Sequence, residues 1–238
     1  MLVLLGGVAA AALFGGEDVD LSTLASSTTH ATISLAPQDS KPFAATDGLV
    51  VHPQEEMAVY TAPDAKAFAK IGPRQFGPTW LPVIDRADGW VRVLLPSRPN
   101  RSTGWLKDRD LERATSPYVI RVHTGSRTIE LLHKGRRQGI WRVAVGARKT
   151  PTPPGRTFVL GSITDERQSY SPVILPLGSH SPTLDTFGGG PGTVAIHGWP
   201  RSNVFGAAVS HGCIRVPDGA LDRLRRVPLG TLVLIDSK

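Results

Sequence analysis

The feature that most limits the fold of this chain is its density of glycine and proline, which number 25 and 20 among 238 residues. Proline fixes φ and has no backbone N–H to donate, so it interrupts helices and the central strands of sheets. Between these residues lie many short runs that are rich in β-branched and aromatic residues. The pattern predicts a mainly β protein built from short strands joined by turns.

The size and composition are those of a folded protein with one large domain or two modest ones. Apolar residues make up 40% of the chain and charged residues 20%, which argues against wholesale disorder. The net charge of +7 favours anionic partners. The basic residues are scattered and form no nucleic-acid-binding motif, so we expect no nucleic-acid partner. A basic, solvated surface is the simplest interpretation, and an acidic cell-wall polymer is the next.

The N-terminal residues predict export. The chain opens with the apolar run MLVLLGGVAAAALFGG, which is shorter than the ~20 residues that a membrane-spanning helix needs. We interpret residues 1–16 as a signal or membrane-anchor segment, with a buried core helix as the alternative, and expect membrane contact only there. The Ser/Thr-rich residues 17–49 predict a disordered linker. We therefore expect an extracytoplasmic protein, anchored or secreted, in the cell wall or a periplasm-like space.

Residues 50–114 predict a first folded block of short strands. The runs AVY, TWLPVID, WVRVLL and GWLK are separated by Pro, Asp-Gly and Ser-Thr-Gly turn signals. Asp88-Gly89 lies between two of these runs, as in a tight hairpin. Four or five short strands in a block of this size predict a small β-barrel.

This first block resembles bacterial domains of the Src-homology-3 (SH3) type. The resemblance rests on the segments AVY, TWLPV, GWVRV and GWL. It implies a small SH3-like barrel of a kind that often binds cell-wall peptides in exported proteins. Trp80, Trp90 and Trp105 could line a ligand groove or pack in the core, and the core interpretation is favoured.

Residues 116–238 predict a second block that is mostly β with one short helix. The predicted strands are 118–123, 127–133, 140–145 and 193–197. After the cysteine, Asp218 predicts the cap of a helix over 219–226. The run TLVLI then predicts a closing strand.

The chain contains a single cysteine, in the stretch SHGCIRV. One cysteine excludes an internal disulfide and a zinc site with two or more cysteines. A lone cysteine is most often a small buried hydrophobe. A catalytic cysteine needs a base, usually histidine, to generate the thiolate, and backbone N–H groups to stabilise an oxyanion. The neighbours of the cysteine therefore decide between the two interpretations.

The residues around Cys213 meet these requirements. Gly212 allows a sharp bend, so the N–H groups of His211, Gly212 and Cys213 could converge on one point. His197 ends the predicted strand TVAIHG and is followed by Gly198, a place from which its side chain can project into a cleft. We predict that His197 is the base. His211 lies in the same turn as the cysteine and is predicted to support the turn and stabilise charge.

The segment IHGWPRSNVFGAAVSHGCIRV, residues 196–216, resembles the signature of the L,D-transpeptidase family with its YkuD-type catalytic domain. That signature is His-Gly, a loop, then Ser/Thr-His-Gly-Cys, an apolar residue and Arg or Asn. The upstream WRVAVGARKTPTPPGRTFVL also matches the family pattern of a strand, a glycine, Thr-Pro-x-Gly and another strand. The resemblance covers residues 117–236. The signature residues present are His197, Gly198, Ser210, His211, Gly212, Cys213, Ile214 and Arg215.

The resemblance implies an exported β-sandwich enzyme of bacterial cell walls. Family members cleave the bond after the third residue of a tetrapeptide stem and release the terminal D-alanine. The acyl group is held as a thioester on the cysteine and passes to the amine of a neighbouring stem, which gives a 3→3 cross-link. The implied partners are therefore donor and acceptor stem peptides of peptidoglycan, and the implied enzyme is a cysteine-dependent acyltransferase without cofactor or metal.

The resemblance also implies a role for each signature residue. Cys213 is the nucleophile, and His197 is the base, oriented by the backbone carbonyl of Gly198. The other implied roles are oxyanion donors from the backbone of His211, Gly212 and Cys213, substrate binding by Arg215, and support of the turn by Ser210.

Other interpretations remain open at this point. His197, His211 and Cys213 could be zinc ligands, although their spacing matches no common zinc pattern. The same acyl-thioester could be hydrolysed by water, which would make the protein an L,D-carboxypeptidase. The chain could also be a non-catalytic wall-binding protein, although the intact cysteine and histidine disfavour this.

Overall fold

The structure is a computed structural model that describes residues 19–238 except 165, 167, 188 and 189. The predicted signal or anchor segment, 1–16, lies outside the described residues. Among the described residues, no helix has the length and apolar character needed to cross a membrane.

The first block is a sheet of seven short strands. In chain order they are β1 (Leu49–Pro53), β2 (Met57–Tyr60), β3 (Ala67–Ile71), β4 (Leu81–Ala87), β5 (Trp90–Leu94), β6 (Thr103–Lys107) and β7 (Leu111–Thr115). The order across the sheet is β3-β2-β6-β5-β4-β1-β7, and all pairings are antiparallel. The predicted hairpin turn at Asp88-Gly89 joins β4 to β5.

The predicted small SH3-like barrel does not close among the described residues. Strands β3 and β7 stand at opposite ends of the strand order and do not pair with each other. Part of the reason lies at β3, where Lys70 exchanges backbone hydrogen bonds with Ala25 and Ser27, at 2.9 and 2.7 Å. The free edge that would close a barrel is therefore occupied by the preceding segment.

The prediction of a disordered linker at 17–49 is wrong for its described part. Residues 19–48 contain little regular structure, but Ile33 and Ala36 are buried in the apolar core of the first block. Asp39 is buried as well and forms an ion pair with Arg156 of the second block. The Ser/Thr-rich composition does not indicate this packing, because the packing depends on partners that are distant in sequence.

The second block contains the remaining strands and a single α-helix among the described residues. Its strands are β8 (Tyr118–His123), β9 (Thr128–His133), β10 (Arg136–Arg142), β11 (Val145–Gly146), β12 (Gly155–Phe158), β13 (Ile174–His180), β14 (Thr186–Phe187), β15 (Gly190–Pro191), β16 (Thr193–Gly198), β17 (Ala208–Ser210), β18 (Ile214–Val216) and β19 (Leu232–Asp236), and the helix is α1 (Asp218–Leu224).

Two sheets of this block face each other across a hydrophobic core. One has the order β10-β9-β8-β19-β12 and the other β13-β16-β18. The core between them includes Ile120 and Ile129 from the first sheet and Leu175, Ile196 and Ile214 from the second. The helix covers the same core. The predicted mainly β fold with one short helix is confirmed, and the two facing sheets are the arrangement of a β-sandwich.

The helix differs in detail from its prediction. It begins at Asp218 and ends at Leu224, whereas we predicted residues 219–226 with Asp218 as the cap. Pro217 holds the capping position, and no side chain caps the helix. Asp218 is the first helical residue, where its charge still suits the positive end of the helix dipole.

The two blocks are joined by a shared apolar core. Phe158, Leu232 and Leu234 belong to the second block but pack among the buried residues of the first. At the boundary, the hydroxyls of Ser116 and Thr231 lie 2.7 Å apart and are hydrogen-bonded. Of the three tryptophans considered for a groove, Trp90 is buried in the core and the other two are half-buried.

Candidate active site

Two neighbouring parallel strands bring the predicted base and the cysteine to one region. In the register of β16 and β18, His197 lies opposite Arg215, and Gly198 opposite Val216. Cys213 immediately precedes β18, two residues before Arg215. Because successive side chains of a strand alternate between its faces, Cys213 and Arg215 project to the same side.

The turn that carries Cys213 is held by its own serine. The Ser210 hydroxyl accepts the Gly212 N–H at 3.1 Å and donates to the Cys213 carbonyl at 2.6 Å. Gly212 has φ +118°, a conformation that favours glycine. The predicted role of Ser210 as support for the turn agrees with these two bonds.

The loop after β11 packs behind this turn. The Thr150 hydroxyl donates to the Ser210 carbonyl at 2.9 Å, and the Thr152 hydroxyl donates to the Gly212 carbonyl at 2.8 Å. Thr152 also accepts the N–H of Gly146 at 2.9 Å. The loop is thereby tied both to the end of β11 and to the turn.

A cleft opens in front of the turn and encloses about 680 Å³ of space, including its mouth. Five of the predicted site residues line it: His197, Ser210, His211, Cys213 and Arg215. The two remaining predicted residues, the glycines, follow His197 and precede Cys213 in the backbone. The structure therefore brings the predicted site residues together.

The imidazole of His197 is oriented by the backbone carbonyl that follows it. His197 is buried, and its Nδ1 lies 2.7 Å from the Gly198 carbonyl oxygen. A carbonyl only accepts hydrogen bonds, so Nδ1 carries the proton and Nε2 of the neutral ring can accept one. Burial lowers the pKa of His197 to about 4; the bond to Gly198 opposes this shift, and Arg215 adds to it.

The Gly198 peptide is fixed in turn by Ser171. Its N–H donates to the Ser171 hydroxyl at 2.7 Å, and that hydroxyl donates to the Val173 carbonyl at 2.6 Å. A Cβ on residue 198 would lie 3.1 Å from the Ser171 oxygen and 3.2 Å from Leu221. The orientation of His197 thus depends on a bond network that the sequence did not reveal.

Cys213 is half-buried at the base of the cleft. Burial raises the pKa of the Cys213 thiol, while a backbone hydrogen bond with Ala195 and the charge of Arg215 act in the opposite direction. With the imidazole pKa lowered and the thiol pKa raised, the resting pair is a neutral thiol and a neutral imidazole.

Two backbone donors in the turn remain available. The Gly212 N–H is taken by Ser210, so it does not join the oxyanion site predicted from the sequence. The N–H groups of His211 and Cys213 make no hydrogen bond to any residue that the structure describes. The predicted three donors are therefore reduced to two.

Aromatic side chains that were not predicted from the sequence form one wall of the cleft. Trp199 stacks on Arg215, with the guanidinium carbon 3.7 Å from the ring centroid. The ring of Tyr170 lies 5.1 Å from that of His197 and 5.8 Å from that of Trp199. The only sequence signal was the position of Trp199 directly after His-Gly.

Arg215 is half-buried and carries no counter-ion within the described part of the chain. Its Nε and the indole nitrogen of Trp199 are both buried without hydrogen-bond partners there. Burial lowers the pKa of Arg215, although the nearby Cys213 raises it. A stacked guanidinium without a carboxylate partner is suited to binding an anionic group.

The zinc alternative has no geometric support. Within residues 19–238, apart from the four undescribed positions, no three His, Cys, Asp or Glu side chains are grouped so that they could hold a metal ion.

Comparison with known proteins points to one family. The family model of the L,D-transpeptidase catalytic domain, YkuD, matches residues 117–235. YqjB of Bacillus subtilis, provisionally named an L,D-transpeptidase, is 30% identical over 127 residues, which are 50% of this chain and 70% of that protein. YkuD of the same organism, also provisionally named, is 32% identical over 123 residues, 51% of this chain and 68% of that protein.

Solved structures show a weaker similarity. An L,D-transpeptidase from Mycobacterium smegmatis aligns with a TM-score of 0.41 and 15% identity, over 61% of this chain and 90% of that one. The catalytic domain of an L,D-transpeptidase from E. faecium aligns with a TM-score of 0.37 and 21% identity, over 51% and 98%. At these scores the solved structures add nothing to the match by sequence.

Proposed function

Because the chain belongs to the L,D-transpeptidase family, we propose that it is a cysteine-dependent acyltransferase that forms 3→3 cross-links in peptidoglycan. The donor is a tetrapeptide stem that is cut after its third residue, and the acceptor is the side-chain amine of a neighbouring stem. The observation that carries the proposal is the juxtaposition in one cleft of Cys213, the oriented His197 and two free backbone N–H groups.

The first half-reaction forms the thioester. Nε2 of His197 takes the thiol proton while the Cys213 sulfur bonds to the carbonyl carbon of the third stem residue. The carbonyl π electrons move onto oxygen, where the N–H groups of His211 and Cys213 stabilise the charge. Collapse of this intermediate breaks the carbon–nitrogen bond, and the imidazolium returns its proton to the departing amine of D-alanine.

The second half-reaction passes the acyl group to the acceptor. The amine nitrogen attacks the thioester carbon, its proton moves to His197, and the sulfur leaves and is protonated again. If water attacks instead, the product is a shortened stem and the enzyme is an L,D-carboxypeptidase. The balance between the two depends on how well the cleft binds the amine and excludes water.

The resting neutral pair determines when the proton moves. A high thiol pKa and a low imidazole pKa disfavour a preformed thiolate–imidazolium pair. Proton transfer is then coupled to attack on the carbonyl, because the sulfur becomes a better acid as it bonds to carbon. His197 thus acts as a general base during the chemical step.

We propose that Arg215 binds a carboxylate of the stem peptide, such as that of the terminal D-alanine. The guanidinium has no protein counter-ion within the described residues, and its carbon lies 3.7 Å from the centroid of the Trp199 ring. Arg215→Lys keeps the charge but loses the planar stack, so we expect KM to rise several-fold with a smaller change in kcat. A fall in kcat as large as the rise in KM would contradict a binding role.

We also propose that the protein works outside the cytoplasm, in the cell wall or a periplasm-like space, because the proposed substrate, peptidoglycan, is there. Residues 1–16 would serve as the signal or anchor and as the only membrane contact. Alkaline phosphatase fused after residue 16 tests this in a bacterial host. Phosphatase activity is expected with the segment, and activity that is the same when the segment is deleted would contradict export.

The function is tested with the full chain and its Cys213→Ala variant on a disaccharide-tetrapeptide, with products read by mass spectrometry. Free D-alanine and a cross-linked dimer, both absent with the variant, are expected. Tripeptide without dimer would identify a carboxypeptidase. Binding of the substrate without turnover by either protein would favour a non-catalytic wall-binding protein.

A further inference from the structure

Two threonine hydroxyls outside the cleft hold two carbonyls of the cysteine turn. Thr150 donates to the Ser210 carbonyl at 2.9 Å, and Thr152 donates to the Gly212 carbonyl at 2.8 Å. Each pair is separated by 60 residues in sequence. Neither threonine is among the residues that line the cleft.

These two carbonyls belong to the peptide groups that supply the free donors. The Ser210 carbonyl shares a peptide plane with the N–H of His211, and the Gly212 carbonyl shares one with the N–H of Cys213. In a planar trans peptide the carbonyl and the N–H point in opposite directions. A hydroxyl that fixes the carbonyl on the loop side therefore directs the N–H away from the loop.

The loop itself is firmly seated. Thr152 is buried and accepts the Gly146 N–H at 2.9 Å, and the Ser210 carbonyl also accepts the N–H of Ala147 at 2.9 Å. A Cβ on Gly146 would lie 2.3 Å from the Thr150 carbonyl oxygen, which shows how closely the loop packs on the end of β11. The hydroxyls are thus presented from a fixed position.

We propose that Thr150 and Thr152 are positioning residues that direct the N–H groups of His211 and Cys213 towards the oxyanion of the acyl-transfer step. This proposal rests on the acyl-thioester chemistry proposed above. Thr152 acts on the Cys213 donor and Thr150 on the His211 donor. Ser210 removes the intervening Gly212 N–H from the site, so the turn offers two directed donors.

The expected effect follows from the value of one donor. Loss of a complete oxyanion donor lowers kcat by roughly 10²–10³-fold. A donor that is present but no longer directed at the oxyanion loses only part of this rate effect. We therefore expect Thr152→Val to lower the acylation rate on the order of 10- to 100-fold. Thr152→Ser keeps the hydroxyl and should retain most of the rate.

The test compares two reactions of Cys213 in the full chain. Acylation by p-nitrophenyl acetate passes through an oxyanion, whereas alkylation by iodoacetamide does not, and neither needs a stem peptide. Thr150→Val, Thr152→Val and Thr152→Ser are measured with thermal unfolding as a check on folding. Thr157→Val is the matched control, because Thr157 is equally buried but its hydroxyl has no partner within the described residues.

The proposal predicts that Thr152→Val lowers the acylation rate by roughly 10- to 100-fold and that Thr150→Val lowers it less, because the Ala147 N–H still holds the Ser210 carbonyl. The alkylation rates of both variants should stay within about twofold of wild type. Thr157→Val should leave both rates unchanged. Equal slowing of the two reactions, or Thr152→Ser as impaired as Thr152→Val, would overturn the proposal. If Thr152→Val does not fold, the half-buried Thr150→Val decides. If the wild-type protein does not turn over the stem peptide but its acylation by the ester still depends on the threonine hydroxyls, the proposed substrate is wrong and the positioning role stands.

Discussion

Asp39→Asn tests whether the segment before the first sheet is an integral part of the fold. The carboxylate of Asp39 accepts two hydrogen bonds from Arg156, from Nε at 2.5 Å and from Nη2 at 2.8 Å. The exposed side-chain fractions are 2% for Asp39 and 4% for Arg156. The substitution keeps the shape of the side chain but removes its charge and turns one acceptor into a donor.

The cost of this change can be estimated from the burial of the pair. Removing one partner of a buried ion pair leaves an uncompensated charge and costs about 3–5 kcal/mol. The Ala44 carbonyl, which accepts from Nη1 of Arg156 at 3.2 Å, compensates only in part. For a chain of this length, each kcal/mol lowers Tm by roughly 2–4 °C, so we expect a fall of roughly 6–20 °C.

Urea unfolding of the full chain gives the free energy directly. Asp47→Asn is the control, because Asp47 pairs with Arg86 at the surface, where both side chains are more than half exposed. Such exposed pairs contribute about 0–1 kcal/mol. If Asp39→Asn is no more destabilising than Asp47→Asn, the packing of residues 19–48 against the second block is not what stabilises the fold.

Three further predictions concern pH and backbone conformation. Because burial raises the pKa of Cys213, alkylation by iodoacetamide should reach half its maximal rate above the ordinary thiol pKa, and a midpoint below pH 7 would indicate a preformed ion pair. Burial lowers the pKa of both His180 and His197 to about 4 from 6.5, so their contribution to stability is complete above pH 6.5 and is lost towards pH 4. The loss is up to roughly 1.4 kcal/mol per pH unit for each histidine, and urea titrations should show a shallower loss in His180→Gln. Gly212→Ala should be destabilising by roughly 1 kcal/mol or more because of its positive φ, whereas Gly219→Ala in α1, with nothing within 4 Å of the added Cβ, should be neutral or stabilising in the same assay.

The candidate site could be predicted largely because its chemistry is local in sequence. Cys213, its turn and His197 lie within one short segment, and adjacent parallel strands bring its two ends together. Trp199 and Tyr170 were missed because an aromatic residue in sequence does not reveal which ring it will face. Thr150 and Thr152 lie in the segment that resembles the family pattern upstream of the signature, but their hydrogen bonds to the turn appear only in three dimensions.

The fold was predictable where strands carry an alternating apolar pattern. Strands β8 and β9 fall close to their predicted bounds for this reason. Strand β7, LERAT, was not predicted, since it is an exposed edge strand with charged residues and no apolar alternation. The packing of residues 19–48 was missed because it depends on distant partners, such as Arg156 for Asp39.

The most direct test of the proposed mechanism is intact-protein mass spectrometry of the full chain after brief mixing with a disaccharide-tetrapeptide. The proposal predicts a covalent adduct of the disaccharide-tripeptide acyl group, mapped by digestion to Cys213. It also predicts one D-alanine released per adduct, and no adduct with Cys213→Ala. Release of D-alanine by Cys213→Ala at the wild-type rate, or an adduct on another residue, would contradict Cys213 as the nucleophile.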